Sequence, residues 1–171
     1  MGETQRLDVQ LSVVSDGWPN EDALLVRVTS VLEHAAGFLA REENQPFAPV
    51  PVEISLVFTD DADIKSINKE WRDQDKPTNV LSFPAFPLVP GGKPGPMLGD
   101  IILAEETLRR EALDLGKPFD DHLTHLLVHG FLHLFGYDHM EQEEAAVMEG
   151  LEIRILAELG LGDPYGDGDP V

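Results

Sequence analysis

The chain has 171 residues, 42% of them hydrophobic, enough to bury one ordinary core without covalent staples. It contains no cysteine, which excludes disulfides, thiolate metal sites, iron–sulfur clusters and thiol nucleophiles. Twelve basic against 32 acidic residues give a net charge of −20, a field that would repel nucleic acids and anionic membranes if it were uniform.

It is not uniform. Between Lys65 and Arg110 seven basic residues meet six acidic ones, whereas ten acids and only Arg154 occupy Asp138 to Val171. One reading of the imbalance is solubility and adaptation to the environment. The other is that a polyanion is handled on the central segment alone. The N-terminal MGETQRLD has no apolar run behind a basic start, so no signal peptide is expected. No stretch approaches 18 uninterrupted apolar residues, so no membrane span is expected either. A soluble, cytoplasmic protein is the default expectation.

In chain order, Leu7 to Val14 alternates with the period of two expected of a half-buried strand. Asn20, followed by Glu21 and Asp22, reads as the N-cap of a helix whose apolar positions run from Leu24 to Leu39. Val52 to Thr59 is a second strand, rich in β-branched residues. Asp61 is a candidate cap for a short helix carrying Ile64, Ile67 and Trp71 on one face, ended by a polar run before Pro77. Val80 to Phe86 is extended, and Pro84 and Pro87 suggest a sheet edge. Leu88 to Met97 reads as a loop, Asp100 to Ala104 as a short strand and Glu105 to Leu115 as a helix. Pro118 opens a helix that reaches Phe135 and is closed by Gly136 in the left-handed conformation. A last helix covers about Gln142 to Leu159, and the acidic tail from Gly160 to Val171 reads as loose. No repeat or linker divides the chain, so residues 1–171 read as one α+β domain, a small four-stranded sheet packed with helices.

Five of the six histidines fall between His122 and His139. On a helix, His122, His125, His129 and His133 lie within about 80° of one another and share a face. His34, alone, reads as a structural imidazole. Metal–nitrogen bonds are about 2.0–2.1 Å, so ligands must converge on one point. Residues i and i+4 are separated by about 6 Å along the axis and can do so, whereas i and i+8, about 12 Å apart, cannot do so comfortably. The workable set is His129 and His133, with His139 returning from the turn at Gly136 as third ligand. This H-x3-H-x2-G-x2-H spacing matches that of metzincin proteases, except that their general-base glutamate is replaced by Gly130. Three neutral imidazoles with an open position suit a catalytic zinc. A structural site completed by Asp138 or another histidine is the alternative, and Asp138 fits better as an acceptor orienting a ring N–H. His125 is open between a supporting and a surface role.

His129-Gly-Phe-Leu-His-Leu-Phe-Gly-Tyr-Asp-His139 resembles the signature of the YbeY family of bacterial endoribonucleases. Asn68 to Arg72, Pro77 to Pro84 and Leu98 to Ile101 resemble further blocks of that family, in its order, so the likeness runs from about Val52 to Gly160. Asn79 departs from the family's usual aspartate. The resemblance implies an α+β fold with a small mixed sheet and a metal-dependent, single-strand-specific endoribonuclease. It implies a role in ribosomal RNA processing, at the 3′ end of the small-subunit RNA, and in ribosome quality control. Carried over, it makes His129, His133 and His139 the ligands of one zinc ion, other transition metals remaining open. Arg72 and His129 become the catalytic residues. The implied partners are single-stranded ribosomal RNA and ribosome-associated proteins, with neither DNA nor membrane. Two further readings stand beside it: a hydrolase of another bond, including a peptidase with an external base, and a non-catalytic RNA- or ribosome-binding protein with a structural metal.

Overall fold

The computed structural model describes residues 5–165. Its sheet comprises β1 (Leu7–Val13), β2 (Val52–Thr59), β3 (Val80–Pro84) and β4 (Met97–Ala104), in the spatial order β1-β2-β4-β3. β2 runs parallel to both β1 and β4, while β3 pairs antiparallel with β4 at the edge. Pro84 lies at the end of this edge strand, as the sequence suggests, while Pro87 falls beyond it. The helices are α1 (Glu21–Glu42), α2 (Asp61–Arg72), α3 (Glu105–Leu115), α4 (Phe119–Leu134) and α5 (Gln142–Glu158).

The pleat divides the core. Leu56, Phe58, Ile101 and Leu103 face the main cluster with α1, α4 and α5, while Val57, Ile102 and Ala104 face a smaller one under α2. α1 is long and apolar enough to cross a membrane by length and composition. Its Leu24, Val28, Leu32 and Leu39 are instead buried in the main cluster, as in the core helix of a globular domain.

Several sequence expectations are refined. Asn20 caps α1 as expected, accepting from the backbone N–H of Asp22 (2.9 Å) and Ala23 (3.1 Å). The cap of α2 is Asp60 rather than Asp61, because Asp61 accepts from the Thr107 hydroxyl (2.7 Å) and ties α2 to α3. β3 ends at Pro84, two residues before Phe86. β4 starts at Met97 rather than Asp100, since Leu98 is buried and Met97 pairs with Glu53 despite the preceding prolines. Trp71 is 67% exposed, set edge-to-face against Phe83 rather than sunk beside Ile64. The start of the expected loose tail is anchored: Leu161 donates to the Leu156 carbonyl (2.9 Å) and packs on the core. Residues 166–171 of that tail lie outside the described residues.

The turn after α4 decides where the third histidine goes. Gly136 has φ +97°, and Tyr137 N–H returns to the Leu132 carbonyl (3.2 Å). A Cβ at Gly136 would lie 2.2 Å from the Leu88 carbonyl oxygen, backbone of the overlying loop. Gly136→Ala should therefore lose about 1–3 kcal/mol from the backbone conformation alone, and more from the clash. A urea midpoint lowered by no more than the backbone share would show that the loop at Leu88 yields freely, and a wild-type midpoint would overturn both the strain and the clash.

Candidate metal centre

α4 is amphipathic in an uncommon sense: one side carries histidines, the other enters the core at very short range. Gly130 is the close point. A Cβ there would sit 3.0 Å from Ser82 Oγ and 3.3 Å from Ile101, and the Ser82 hydroxyl donates to the Gly130 carbonyl (3.2 Å). The position following the first of the three clustered histidines therefore faces the sheet, and any side chain there would press on Ser82 and Ile101. Ser82 thus packs β3 against α4.

His129, His133 and His139 are brought together. Their ring centroids are 4.7 Å (His129–His133), 5.0 Å (His133–His139) and 5.3 Å (His129–His139) apart. One nitrogen from each lies within 4.8 Å of the others, a set able to hold a metal ion. They line a cleft of about 630 Å³, with Arg72, Ser82 and Leu88 among its other walls.

The hydrogen bonds fix which nitrogens face the cleft. His133 Nδ1 is 3.0 Å from the Tyr137 carbonyl, which can only accept, so Nδ1 carries the proton. His129 Nδ1 is 2.7 Å from Glu152 Oε2, and an ionised carboxylate likewise only accepts. In the neutral form of each ring the proton then sits on Nδ1, and Nε2 is left bare to bind a metal in the cleft. Burial, reinforced by the charges of His129 and His139, lowers the pKa of His133 to about 4. It is neutral at neutral pH.

Glu152 was not legible as a site residue in the sequence, and it is the centre of the support. Its side chain is 0% exposed on α5. Burial pushes its carboxyl pKa up, but hydrogen bonds from His125 (2.8 Å) and His129, with the His129 charge and the Tyr165 hydroxyl (2.6 Å), bring it down to about 2. Burial first, then the bond to Glu152, raises the Tyr165 phenol well above its ordinary range. A signal existed: Glu152 follows Leu151 on the apolar stripe of Met148, Ile155 and Leu156, where an acid must be paired. His125 thus supports Glu152 rather than facing solvent.

The remaining candidates sort by geometry. Asp138 accepts from the His139 backbone N–H (2.7 Å) and bonds no imidazole; the Tyr137 carbonyl and Glu152 take the ring-orienting role expected of it. Arg72 makes no pair with Asp73 or Asp75 among the described residues. Its Nη2 donates to the Ser82 carbonyl (2.6 Å), and its guanidinium lies over Phe83 (4.9 Å to the centroid). Asn79 accepts from Val80 N–H (2.6 Å) and donates to Glu111 (3.0 Å), which also bonds His122 (2.8 Å). An aspartate at this position would face the Glu111 carboxylate, so the amide suits its neighbour. His34 bonds Glu158 at the surface (2.8 Å).

A family model described as Endoribonuclease YbeY matches residues 20–160. The Endoribonuclease YbeY of Rhizobium meliloti is 69% identical over 164 residues, covering 96% of this chain and 98% of that protein. That of Agrobacterium fabrum is 67% identical over 165 residues, with the same coverage of 96% and 98%. The solution structure of TM1509 from Thermotoga maritima superposes with a TM-score of 0.54 at 23% identity, over 95% of this chain and 98% of that one, and shares the fold.

The site's ionisation sets its acid lability. His133 has a folded pKa near 4 against an ordinary 6.5, so between those values the unfolded chain binds more protons. Stability of the metal-free protein should fall as pH drops from about 6.5 to about 4. Glu152 contributes stability above its ordinary 4.5, lost as pH falls toward about 2. Urea midpoints across pH 7 to 3 test this: His133→Gln should flatten the upper limb, and an unchanged limb would remove His133 as its source.

Proposed function

Because the chain belongs to the endoribonuclease YbeY family, we propose that it is a metal-dependent, single-strand-specific endoribonuclease of ribosomal RNA. The ligands in this reading are His129, His133 and His139, and Arg72 is the basic residue acting on the phosphate. The observation that carries it is the convergence of three imidazole nitrogens in one cleft with Arg72 in its wall. An all-imidazole donor set suits zinc, among other transition metals, and zinc is the proposed ion. When bound, such an ion supplies Lewis-acid stabilisation of phosphoryl oxygens and lowers the pKa of a bound water.

The chain's own residues do the rest. Phosphodiester cleavage builds negative charge on the phosphoryl oxygens, and preorganised donors lower that barrier most. Arg72 is preorganised: one arm is held by the Ser82 carbonyl and the plane rests on Phe83, so the guanidinium does not have to be ordered during reaction. The other N–H donors of its fork remain for phosphate. Glu152 and the Tyr137 carbonyl hold two ligand rings in one tautomer. The Gly130 position, closed by Ser82 and Ile101, argues against a peptidase with its base on α4. In this reading the target is the 3′ end of the small-subunit RNA, within ribosome maturation and quality control. The protein then works in the cytoplasm beside ribosome-associated proteins.

Metal analysis of the purified chain should find about one zinc-type ion, absent from His133→Ala. Full metal content in a combined His129→Ala, His133→Ala variant would place the site elsewhere.

Single-turnover cleavage of single-stranded RNA tests Arg72. Arg72→Ala should keep its metal and lower the rate by about 10²–10³, the scale for one lost charge-stabilising donor. Arg72→Lys should recover part of it, keeping charge without the planar fork. Near-wild-type cleavage by metal-replete Arg72→Ala would remove Arg72 from the reaction.

A further inference from the structure

We propose that Tyr165, in the segment after α5, is a positioning residue for the metal-binding histidine His129, acting through Glu152; the proposal rests on the three-histidine reading above. Glu152 Oε1 accepts from the Tyr165 hydroxyl (2.6 Å) and from His125 Nε2 (2.8 Å), while Oε2 accepts from His129 Nδ1 (2.7 Å). The carboxylate has no exposed surface, so its charge is balanced by these donors and not by water. The Tyr165 ring also stands edge-on to His125, at 5.4 Å and 89°.

The asymmetry of the contacts gives the roles. Two donors on Oε1 pin the carboxylate from the side away from the triad, and Oε2 is left to His129. Tyr165 is the donor that comes from outside α4. Without its hydroxyl, Oε1 keeps only His125, and the carboxylate can turn about its terminal torsion or draw in water. His129 then loses the fixed acceptor that holds its proton on Nδ1 and keeps Nε2 bare for metal.

The same atoms allow a rival. His125, His129 and Glu152 also satisfy the distance condition for a second ion. Separations of 2.7 and 2.8 Å are those of charge-assisted hydrogen bonds, with protons where an ion would have to sit. The first triad and a second ion would also compete for one ring. The geometry favours a hydrogen-bonded support.

The test uses the full chain, comparing wild type, Tyr165→Phe and Glu152→Gln. Zinc affinity is measured by competition with a chromophoric chelator, alongside ion stoichiometry, the visible spectrum of the cobalt(II) form and melting temperature. Glu152→Gln should weaken zinc binding by about 10–100-fold, the usual effect of losing a ligand's hydrogen-bond partner. Tyr165→Phe, one step removed, should weaken it by about three- to tenfold and alter the cobalt spectrum, with one ion per chain throughout. Nitrogen-15 NMR of the metal-free chain supplies an arm independent of zinc: His129 should be protonated on Nδ1 in wild type and shift toward mixed tautomers in both variants. Should Glu152→Gln not fold, Tyr165→Phe alone decides. Zinc affinity within twofold of wild type with an unchanged cobalt spectrum in Tyr165→Phe would overturn the proposal. So would a second ion lost on Glu152→Gln. Failure of the wild type to bind zinc would instead sink the three-histidine reading, and an unaltered His129 tautomer in Tyr165→Phe would then sink this one too.

Discussion

The contact on which the rest of the molecule depends is the approach of α4 to β3 and β4 at Gly130. The helix lies so close there that a methyl group would press on Ser82 and Ile101. Close packing settles the rotation of α4 about its axis. With Gly130 toward the sheet and Leu123, Leu127 and Phe131 in the core, the face carrying His129 and His133 can look only into the cleft beside β3. Moving the helix outward by the width of a side chain would change the distance between those histidines and Arg72, which is itself tethered to Ser82. One strand, β3, thus sets both sides of the site: its Ser82 hydroxyl holds α4 and its Ser82 carbonyl holds Arg72.

A polar chain of this kind in a core is costly unless it closes, and most of it does. Glu152 meets three donors, and Asn79 and His122 both bond Glu111. The Glu152 carboxylate is fully bonded, and the unmet share falls on the buried Nδ1 atoms of His122 and His125, which have no partner among the described residues. The same economy explains the acid behaviour of the site. A histidine kept neutral by burial and a carboxylate kept ionised by its donors both penalise proton uptake, and both lose stability in the same direction as pH falls.

Much of this was legible in the sequence, for identifiable reasons. The four strands and five helices follow from local periodicity, and local signals at Asn20, Pro118 and Gly136 placed the start of α1 and both ends of α4 within a residue or so, whereas β3 and β4 were off by two and three residues. The three-histidine set was legible because ligand geometry is a question of spacing along one helix and one turn. What was not legible depends on contacts between distant elements. Asp61 looked like a cap, yet its carboxylate is taken by Thr107, 46 residues on. Trp71 shares the spacing of Ile64 and Ile67, but it stands edge-on to Phe83 of the edge strand and stays 67% exposed. Glu152 is 23 residues from His129, and only its place on an apolar stripe hints at a partner. Asp138, adjacent in sequence to His139, was the natural choice for orienting a ring, and the turn spends its side chain on the backbone instead.

The charge of the chain takes on a different meaning beside this geometry. A net −20 opposes a polyanion at long range, but exposed charges are screened over about 8 Å in physiological salt. Within that distance the site presents a different field. Arg72 lies in the cleft wall, and three imidazoles kept ready for a dication line it. The acids nearest the histidines are committed: Glu152 to His125, His129 and Tyr165, and Asp138 to the backbone of His139. Attraction for a phosphate at the cleft is therefore short-ranged, and the acidic segment from Asp138 to Val171 opposes a polyanion more than the nearly balanced Lys65–Arg110 segment does. Asp138, which also lines the cleft, keeps its charge while bonded to the backbone, so the positive side of the site is the wall formed by Arg72.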